Sequence, residues 1–399
     1  MRPFACLLPF VLGAFACSTE GVLGSLRRPE DVPPTDAGVD GAIAEPTPAP
    51  DLGLPTPSTI PVGAGGVSTC VRTAVRTVEC WGSNAQGGLG VNDLSVDSSE
   101  TPLTVTDLED VTAIASGQLA HCAIQATGKL RCWGYLFTTS IPDLPAGSRS
   151  VFHPTEMPVR NDVVRVAVGL AFVCTVHATG ELRCWGENDV GQLGTGDMKS
   201  QALPTLVMGA SDAVTSVAAS MGGTFACATT RSGAVFCWGA AGAVLGVSEP
   251  VLTPRQVLGL PEPAVEVTAG RAHACARLRS GAVSCWGANE EGQLGAGDEA
   301  LHADPVTVDV SDVVQVAAGA DHACAVRNDG SLVCWGHHYV PTHDSPSRTN
   351  HSRLIFPASR AIAAVSCGMA HSCVWSPGGD IECWGVPLDG RLGPRTGTF

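Results

Sequence analysis

The chain has 399 residues, with 47 glycines, 28 prolines, 15% charged residues and a formal net charge of −15 at pH 7. Many turn-forming residues and few helix signals favour an all-β fold. The excess of negative charge would repel a phosphate backbone or an anionic membrane surface, so nucleic acid is not an expected partner.

The first 17 residues have the features of a secretory signal. Arg2 gives a short basic start, and the apolar run from Phe4 to Phe15 is too short to span a bilayer. Residues 14–17 read Ala-Phe-Ala-Cys and resemble the lipobox of bacterial lipoproteins, although alanine stands where leucine is usual. In such proteins the cysteine, here Cys17, becomes the lipidated first residue. We therefore expect a protein that is lipid-anchored to the bacterial outer membrane or cell surface, with a secreted or periplasmic protein as the alternative.

Residues 18–49 are rich in proline, glycine, alanine and acidic residues. Such a composition cannot bury enough apolar surface to offset the entropy that is lost on ordering. The sequence therefore predicts a disordered tether between the anchor and a folded domain that spans residues 50–399.

An internal repeat organises this domain. The triplet Cys-Trp-Gly begins at residues 80, 132, 184, 237, 285, 334 and 383, at intervals of 48 to 53 residues. This period is typical of a four-stranded β-propeller blade and is too long for most helical repeats. We therefore predict seven structural units.

Each unit carries a second cysteine ten residues before the triplet. In the second unit the intervening loop ends in Gly128, and a type I turn followed by a left-handed residue would place Cys122 opposite Cys132. Such a non-hydrogen-bonded pair brings Cα atoms to about 4.5 Å, which a disulfide accepts, and export supplies an oxidising compartment. The predicted disulfides are Cys70–Cys80, Cys122–Cys132, Cys174–Cys184, Cys227–Cys237, Cys275–Cys285, Cys324–Cys334 and Cys373–Cys383.

Two details qualify this pattern. Arg76 occupies the glycine position of the first unit, so that turn is expected to be less ideal or differently built. Zinc is the rival interpretation of repeated cysteines, but one cysteine on each of two adjacent strands lacks the clustered spacing of a structural zinc site, and no metal is expected.

The rest of each unit supplies two more strands. One is an extended segment that opens with proline, as at Pro102 and Pro154, and the other is an alternating apolar run that ends in glycine, as in residues 163–169. Counting back from Cys70 puts the first strand of the first unit at residues 50–54. The sequence thus predicts an all-β, seven-bladed β-propeller with about four antiparallel strands and one cross-strand disulfide per blade.

Several motifs resemble a known repeat family. Residues 185–194 read Trp-Gly-Glu-Asn-Asp-Val-Gly-Gln-Leu-Gly, and residues 286–295 read Trp-Gly-Ala-Asn-Glu-Glu-Gly-Gln-Leu-Gly. His273, His322 and His371 each stand three residues after a glycine. Over about residues 50–393 these features resemble the regulator of chromosome condensation repeats, which implies a seven-bladed propeller. Eukaryotic relatives suggest nucleotide exchange or chromatin binding, but export, disulfides and acidity argue against both here.

No pattern in the sequence predicts catalysis. A histidine precedes the first cysteine by two residues in three units, as His273 precedes Cys275, but a disulfide sulfur has no thiolate with which to attack. The repeated tryptophans are expected to pack between blades rather than to form a stacking surface. Cys367, the odd cysteine of the domain, is predicted to be a buried free thiol, with a reactive or intermolecular cysteine as the alternative.

The loops that depart from the repeat are the candidates for binding. Residues 135–154 and 337–353 replace the Gly-Gln-Leu-Gly turn in the second and sixth units and contain the only two tyrosines of the chain. Aromatic side chains on exposed loops are favoured anchors in protein interfaces. The candidate binding residues are Tyr135, Phe137, Phe152, His337, His338, Tyr339 and His343. The histidines of the second loop also suggest a transition-metal site, but a polar loop is favoured because no ligand geometry is defined.

These observations predict a surface-tethered, monomeric binding or scaffold module that recognises a protein or an envelope component through loops on one face. No cofactor and no catalysis are expected. The alternatives are a secreted enzyme inhibitor, a nucleotide-exchange factor by family analogy, and a propeller hydrolase or lyase with carboxylates around the central channel.

Overall fold

The computed structural model describes residues 61–136, 150–210, 212–340, 343–394 and 396–398. Within these ranges the chain forms seven four-stranded sheets, and each sheet is built from four consecutive antiparallel strands. This confirms the predicted all-β, seven-bladed β-propeller. The predicted signal segment, the tether and the strand expected at residues 50–54 lie outside the described residues.

The strands follow the chain order around the ring. Blades one to three contain β1 (Val62–Ala64), β2 (Ser68–Arg72), β3 (Val78–Ser83), β4 (Ser98–Thr104), β5 (Val111–Ser116), β6 (Ala120–Gln125), β7 (Leu130–Tyr135), β8 (Ser150–Glu156), β9 (Val163–Val168), β10 (Phe172–His177), β11 (Leu182–Gly186) and β12 (Gln201–Leu206). Blades four and five contain β13 (Val214–Ala219), β14 (Phe225–Thr230), β15 (Val235–Gly239), β16 (Val251–Gln256), β17 (Ala264–Ala269), β18 (His273–Leu278), β19 (Val283–Gly287) and β20 (His302–Thr307). Blades six and seven contain β21 (Val313–Ala318), β22 (His322–Arg327), β23 (Leu332–Val340), β24 (His343–Phe356), β25 (Ala364–Cys367), β26 (His371–Trp375), β27 (Asp380–Gly385) and β28 (Thr396–Thr398).

Short 3-10 helices complete the described secondary structure, at Ala85–Gly87, Ala358–Arg360 and Leu388–Gly390. No helix in the described ranges is long and apolar enough to cross a membrane.

The order of strands within a blade differs from the predicted order. The apolar run forms the first, inner strand, the two cysteine strands follow, and the proline-containing segment is the outer strand of the same blade. The first blade therefore has its four strands without residues 50–54, because it begins at Val62–Ala64 and ends at Ser98–Thr104. Pro102 lies inside that outer strand rather than at its first residue, and an outer strand tolerates proline because one of its edges is unpaired.

The cysteine strands have the predicted register. In the second blade Cys122 pairs with Cys132 and Ile124 pairs with Leu130, and the seven disulfides join Cα atoms that are 4.0 to 4.1 Å apart. The first turn is not differently built, however. Arg76 adopts the left-handed conformation (φ 63°) that Gly128 adopts in the second blade (φ 77°), and both donate their amide hydrogen to the carbonyl three residues earlier.

The repeated tryptophans lie between blades, as predicted. Each is at most 5% exposed and packs into the apolar core of the preceding blade; Trp335, for example, lies among core residues of the fifth blade. Four of the indole nitrogens donate to a backbone carbonyl in the turn between the third and outer strands of that preceding blade. The apolar core is therefore a series of seven layers between sheets, and the tryptophans fix the spacing of the layers.

Candidate binding face and central channel

The connections between strands divide the propeller into two faces. Because successive strands in a blade are antiparallel, the connections from the first to the second strand and from the third to the outer strand lie on one face, which we call the loop face. The cysteine hairpins lie on the opposite face. The described ends of the predicted binding loops, residues 135–154 and 337–353, belong to the loop face, on the second and sixth blades.

The sixth blade departs most from the repeat. In the fifth blade, pairing of the third and outer strands ends at Gly287 and His302, and the Gly-Gln-Leu-Gly turn follows. In the sixth blade the pairing continues beyond Gly336 to Val340 and His343. The β23–β24 hairpin thus extends about 13 Å further, at about 3.3 Å for each of four residues.

Two of the candidate residues meet on this hairpin. The rings of His337 and Tyr339 stack with centroids 6.2 Å apart, and the side chain of His337 is 41% exposed while Tyr339 is half-buried. Arg348, which pairs with His337 in the hairpin, places its Nε 3.4 Å from Glu291 and its Nη2 3.1 Å from Glu299 in the fifth blade. These ion pairs orient the base of the hairpin against the neighbouring blade.

The adjacent His338 faces the other way. It is 2% exposed, its Nδ1 lies 3.0 Å from the carbonyl oxygen of Gly336, and burial lowers its pKa. His337 and His338 point to opposite sides of the strand, so they do not converge on one ion. The side chain of His343 lies outside the described residues. No group of three or more histidine, cysteine or acidic side chains in the described ranges could hold a metal ion.

The second blade contributes a smaller feature to the loop face. Tyr135 is half-buried beside a crevice lined by Leu170 and Phe172 of the third blade. The carbonyl oxygen of Phe152 accepts a hydrogen bond from the amide of Asn92 at 2.8 Å, which links the outer strand to the first blade. Phe137 lies outside the described residues. The structure therefore brings His337 and Tyr339 together but places Tyr135 and Phe152 on a separate blade.

Two of the histidines that precede the cysteines, His322 and His371, join neighbouring blades. His322 Nε2 lies 2.9 Å from Ser372 Oγ, and His371 Nε2 lies 2.9 Å from Thr69 Oγ1, each across a blade boundary. Burial lowers the pKa of each of these two imidazoles to about 3. Their neighbouring cysteines are in disulfides, so the arrangement provides no nucleophile.

Cys367 is a buried thiol, as predicted. It is 4% exposed, and burial raises its pKa to about 12. A thiol that is protonated at neutral pH and screened from solvent is a poor nucleophile.

The central channel was not predicted as a site, although charged residues within apolar strand sequences could have indicated it. The first strands enclose a cavity of about 650 Å³ with a wall composed mainly of alanine and valine. Arg165 and Glu266 interrupt the apolar runs of the third and fifth blades, and Arg277 Nε donates to Glu266 at 3.0 Å. Desolvation raises the pKa of Glu266, opposed by Arg277, and desolvation lowers the pKa of Arg165, opposed by Glu266.

Sequence comparison identifies the repeat. The regulator of chromosome condensation (RCC1) repeat matches residues 179–228 and 280–326, and a second pattern of that description matches residues 163–192 and 264–293. Human E3 ubiquitin-protein ligase HERC2 is 31% identical over 249 residues, which are 60% of this chain and 5% of that protein. The ultraviolet-B receptor UVR8 of Arabidopsis thaliana is 26% identical over 201 residues, 49% of this chain and 45% of the receptor. The chain therefore spans less than half of each of these relatives.

Solved structures support the same fold. Human WBSCR16 has a TM-score of 0.69 at 20% identity, over 79% of this chain and 86% of that chain. Prp20p of Saccharomyces cerevisiae has a TM-score of 0.65 at 21% identity, over 77% of this chain and 80% of that chain.

Fold and repeat together define the class: the chain is a seven-bladed β-propeller built from one recurrent motif. The two RCC1 matches each contain an intact Gly-Gln-Leu-Gly turn, and they run from the third blade into the fourth and from the fifth blade into the sixth. The chain contains RCC1-like repeats.

Proposed function

We propose that this chain is an exported binding module, tethered at the cell surface, that recognises a protein or another envelope component through the loop face of its propeller. The observation that carries the proposal is the β23–β24 hairpin, which replaces the family turn with an extended hairpin bearing the stacked His337 and Tyr339. The Gly-Gln-Leu-Gly turns of the third and fifth blades accept hydrogen bonds from Trp238 and Trp335 in other blades, whereas this hairpin extends beyond the repeat. Loops on a rigid scaffold are the usual place for recognition.

The chemistry of the hairpin suits a protein surface. An exposed imidazole stacked on a phenol offers apolar area together with hydrogen-bonding groups, and Arg348 and Glu291 beside it supply both signs of charge. Aromatic and arginine side chains are enriched where protein interfaces concentrate their binding energy.

Relatives of the same fold support this reading. The structure of Prp20p was described together with its binding to Gsp1p and histones, and yeast RCC1 (Prp20) was solved bound to Kap60. Those partners belong to that protein. The general use of an RCC1-like propeller as a protein-binding scaffold is the part that we extend to this chain.

Site-specific photocrosslinking in intact cells tests the proposal. A photoreactive residue at position 348, on the hairpin, should give discrete adducts, whereas one at position 329, on the opposite face of the same blade, should give none. The double change His337→Ala and Tyr339→Ala should abolish the adducts, and the control pair Asn328→Ala and Asp329→Ala should not. Equal adducts from both faces, or adducts that survive the hairpin change, would overturn the assignment of the binding face.

The tether is tested separately. Cys17→Ser should release the folded protein from the membrane fraction and remove the mass increment of a lipid from its N-terminus. A wild-type protein that carries no lipid would overturn the anchor without affecting the assigned binding face.

A further inference from the structure

The first strand of each blade has an unpaired edge that faces the central channel. In the third blade Cys174 pairs with Cys184 on one side and with Ala167 of β9 on the other. The short Cα distance of 4.1 Å in the cysteine pair marks it as non-hydrogen-bonded, so Cys174 directs its backbone groups to β9. Backbone groups alternate along a strand, and the N–H and C=O of Val166 and Val168 therefore point away from β10 and into the cavity.

Side chains of the preceding blade accept the edge amides in the sixth, seventh and first blades. Each acceptor lies two or four residues before the glycine that follows its own first strand. The donor and acceptor residues, at 2.9 to 3.0 Å, are Ala318 with Thr268, Val365 with Gln315, and Ala64 with Ser366. Hydroxyl and amide side chains at these two positions thus cover the edge of the following blade.

The edges of the second, third and fourth blades lack such acceptors. The residues at the two positions of the preceding blades are Pro61 and Gly63, Ala113 and Ala115, and Arg165 and Ala167. None of these side chains can accept an amide hydrogen, because a guanidinium only donates. Six edge amides have no hydrogen-bond partner among the described residues, namely those of Ile114, Ser116, Val166, Val168, Val217 and Ala219.

A ring of backbone hydrogen bonds at the loop face is interrupted at the same place. At five of the seven boundaries an amide that follows the first strand donates to a carbonyl of the next blade at 3.0 to 3.3 Å, and the donors are Gly66, Met221, Arg271, Ala320 and Met369. The equivalent amides at the two boundaries of the third blade belong to Gln118 and Leu170, and neither has a partner within the described ranges. Unpaired donors therefore continue from the inner edge of the third blade to the loop-face end of the channel.

The walls beside this edge are formed by small side chains. Ala113 and Ala115 belong to the layer between the second and third blades, and Val217 and Ala219 belong to the layer between the third and fourth. All four are half-buried and line the cavity of about 650 Å³, a volume within the range of ligand sites. An extended chain beside β9 would direct its side chains into these two layers, which favours small apolar side chains.

We propose that the channel binds an extended peptide with small apolar side chains, which adds to the third blade as a fifth strand along β9. A strand edge presents a donor and an acceptor at every second residue, and another extended chain matches both. Val166 and Val168 offer two donors and two acceptors in this arrangement. The site does not use the β23–β24 hairpin and does not rest on the function proposed for the loop face.

Amide exchange tests the proposal directly. The probe is the uncharged peptide acetyl-Ser-Val-Ala-Val-Ser amide, added at millimolar concentration to the purified chain with its disulfides intact. Exchange of the Val166 and Val168 amides, measured by NMR, should slow roughly tenfold or more, because a paired amide is protected from solvent. The amide of Cys367, on the edge of the seventh blade, should exchange at an unchanged rate. An analogue that is N-methylated at every residue keeps the side chains but has lost their amide donors, and it should not bind.

A substitution that copies the covered half of the ring gives a second test. Ala115→Ser should cover the Val168 amide as Ser366 covers that of Ala64, so the affinity for the peptide should fall about tenfold. Ala317→Ser, the same change in the layer between the sixth and seventh blades, is the matched control and should leave the affinity unchanged. Thermal unfolding checks that each variant is folded.

Three results would each overturn the proposal. They are unchanged exchange of Val166 and Val168 in the presence of the peptide, equal binding of the N-methylated analogue, and equal affinity of wild type and Ala115→Ser. The exchange measurement uses the wild-type chain, so it decides the matter even if a variant does not fold. Any of these results would leave the assignment of the loop-face hairpin unaffected.

Discussion

The Nη1 of Arg391 donates a hydrogen bond to the carbonyl oxygen of Gly66 at 2.9 Å, across the seam where the seventh blade meets the first. Arg391 takes the place that Gln293 has in the fifth blade, and the carbonyl oxygens of both residues accept an indole hydrogen, from Trp81 and from Trp335 respectively. The backbone contact is therefore common to the repeat, while the guanidinium link belongs to the seam. Each blade consists of four consecutive strands, so contacts between blades, rather than a shared sheet, close the described ring.

Replacing Arg391 with glutamine, the residue at the equivalent position of the fifth blade, should weaken the contact between the seventh and first blades. Arg391→Gln keeps the carbonyl that Trp81 uses but loses the bond to Gly66, and a buried charged hydrogen bond is worth about 2 kcal/mol. We expect the free energy of unfolding to fall by about that amount and amide exchange to accelerate in β1 and β25. Arg255→Gln, on the outer strand of the fourth blade, is the matched control. Uniform acceleration of exchange in all blades would contradict a local role of Arg391.

The substitution Ala323→Ser should provide His273 with a hydrogen-bond partner. His322 meets Ser372 of the next blade, but the residue equivalent to Ser372 in the sixth blade is Ala323, and neither ring nitrogen of His273 has a partner within the described residues. Ala323→Ser should therefore increase the free energy of unfolding by about 1 kcal/mol, measured by urea denaturation, because it satisfies a buried polar group.

The equivalent change one blade earlier is the control. Ala274 lies opposite Trp286 at the same position of the fifth blade, where the preceding blade offers Phe225 instead of a histidine. Ala274→Ser should destabilise the protein by about 1 kcal/mol or more, because the new hydroxyl is buried without an acceptor side chain. If both serine variants changed stability in the same direction, hydrogen bonding to His273 would not be the cause.

The register of the cysteines could be predicted because it depends on local geometry. A three-residue turn and a period of two fix which side chains meet, and no tertiary information is needed. The boundary of a blade could not be predicted in the same way. A cyclic repeat has no intrinsic first strand, so the period does not reveal whether the proline segment opens one blade or closes the preceding one.

The candidate sites show a similar division. The departure from the repeat indicated where the sixth-blade hairpin lies. Residues 337–353 were expected to form a loop, however. Only the alternation of side chains along a strand explains why His337 is exposed and His338 is buried. The channel was missed although Arg165 and Glu266 stand within apolar runs. Which runs face the axis depends on the blade order, which the sequence did not provide.

The free thiol gives a chemical test of the fold. Seven disulfides and the buried Cys367 mean that no cysteine of the propeller should react with Ellman's reagent at pH 8 in the native, unreduced protein, so that only an unlipidated Cys17 would react. The pKa of Cys367 is raised to about 12 by burial, so its reactive thiolate is scarce at that pH. In guanidinium chloride without reductant one thiol should appear, or two if Cys17 is retained without a lipid. Several reactive thiols in the native protein would refute the pairing of the cysteines.

Stability should fall as the pH decreases below the ordinary pKa of histidine. Burial lowers the pKa of His121, His322 and His371 to about 3 and that of His273 to about 4, from 6.5. Between about pH 6.5 and these values the unfolded chain binds protons that the folded chain does not, so the free energy of unfolding rises with pH across this window. Each such histidine contributes a slope of up to about 1.4 kcal/mol per pH unit.

A single substitution isolates this contribution from that of the carboxylates. His371→Gln keeps a hydrogen-bonding partner for Thr69 but removes one titrating group, so the slope of the free energy of unfolding between pH 6 and pH 4.5, measured by urea denaturation, should fall by about 1.4 kcal/mol per pH unit. His351→Gln, on the exposed part of the sixth-blade hairpin, is the matched control and should leave the slope unchanged. A slope that does not respond to His371→Gln would show that this imidazole is protonated in the folded protein, and its burial at the seam would then have to be reconsidered.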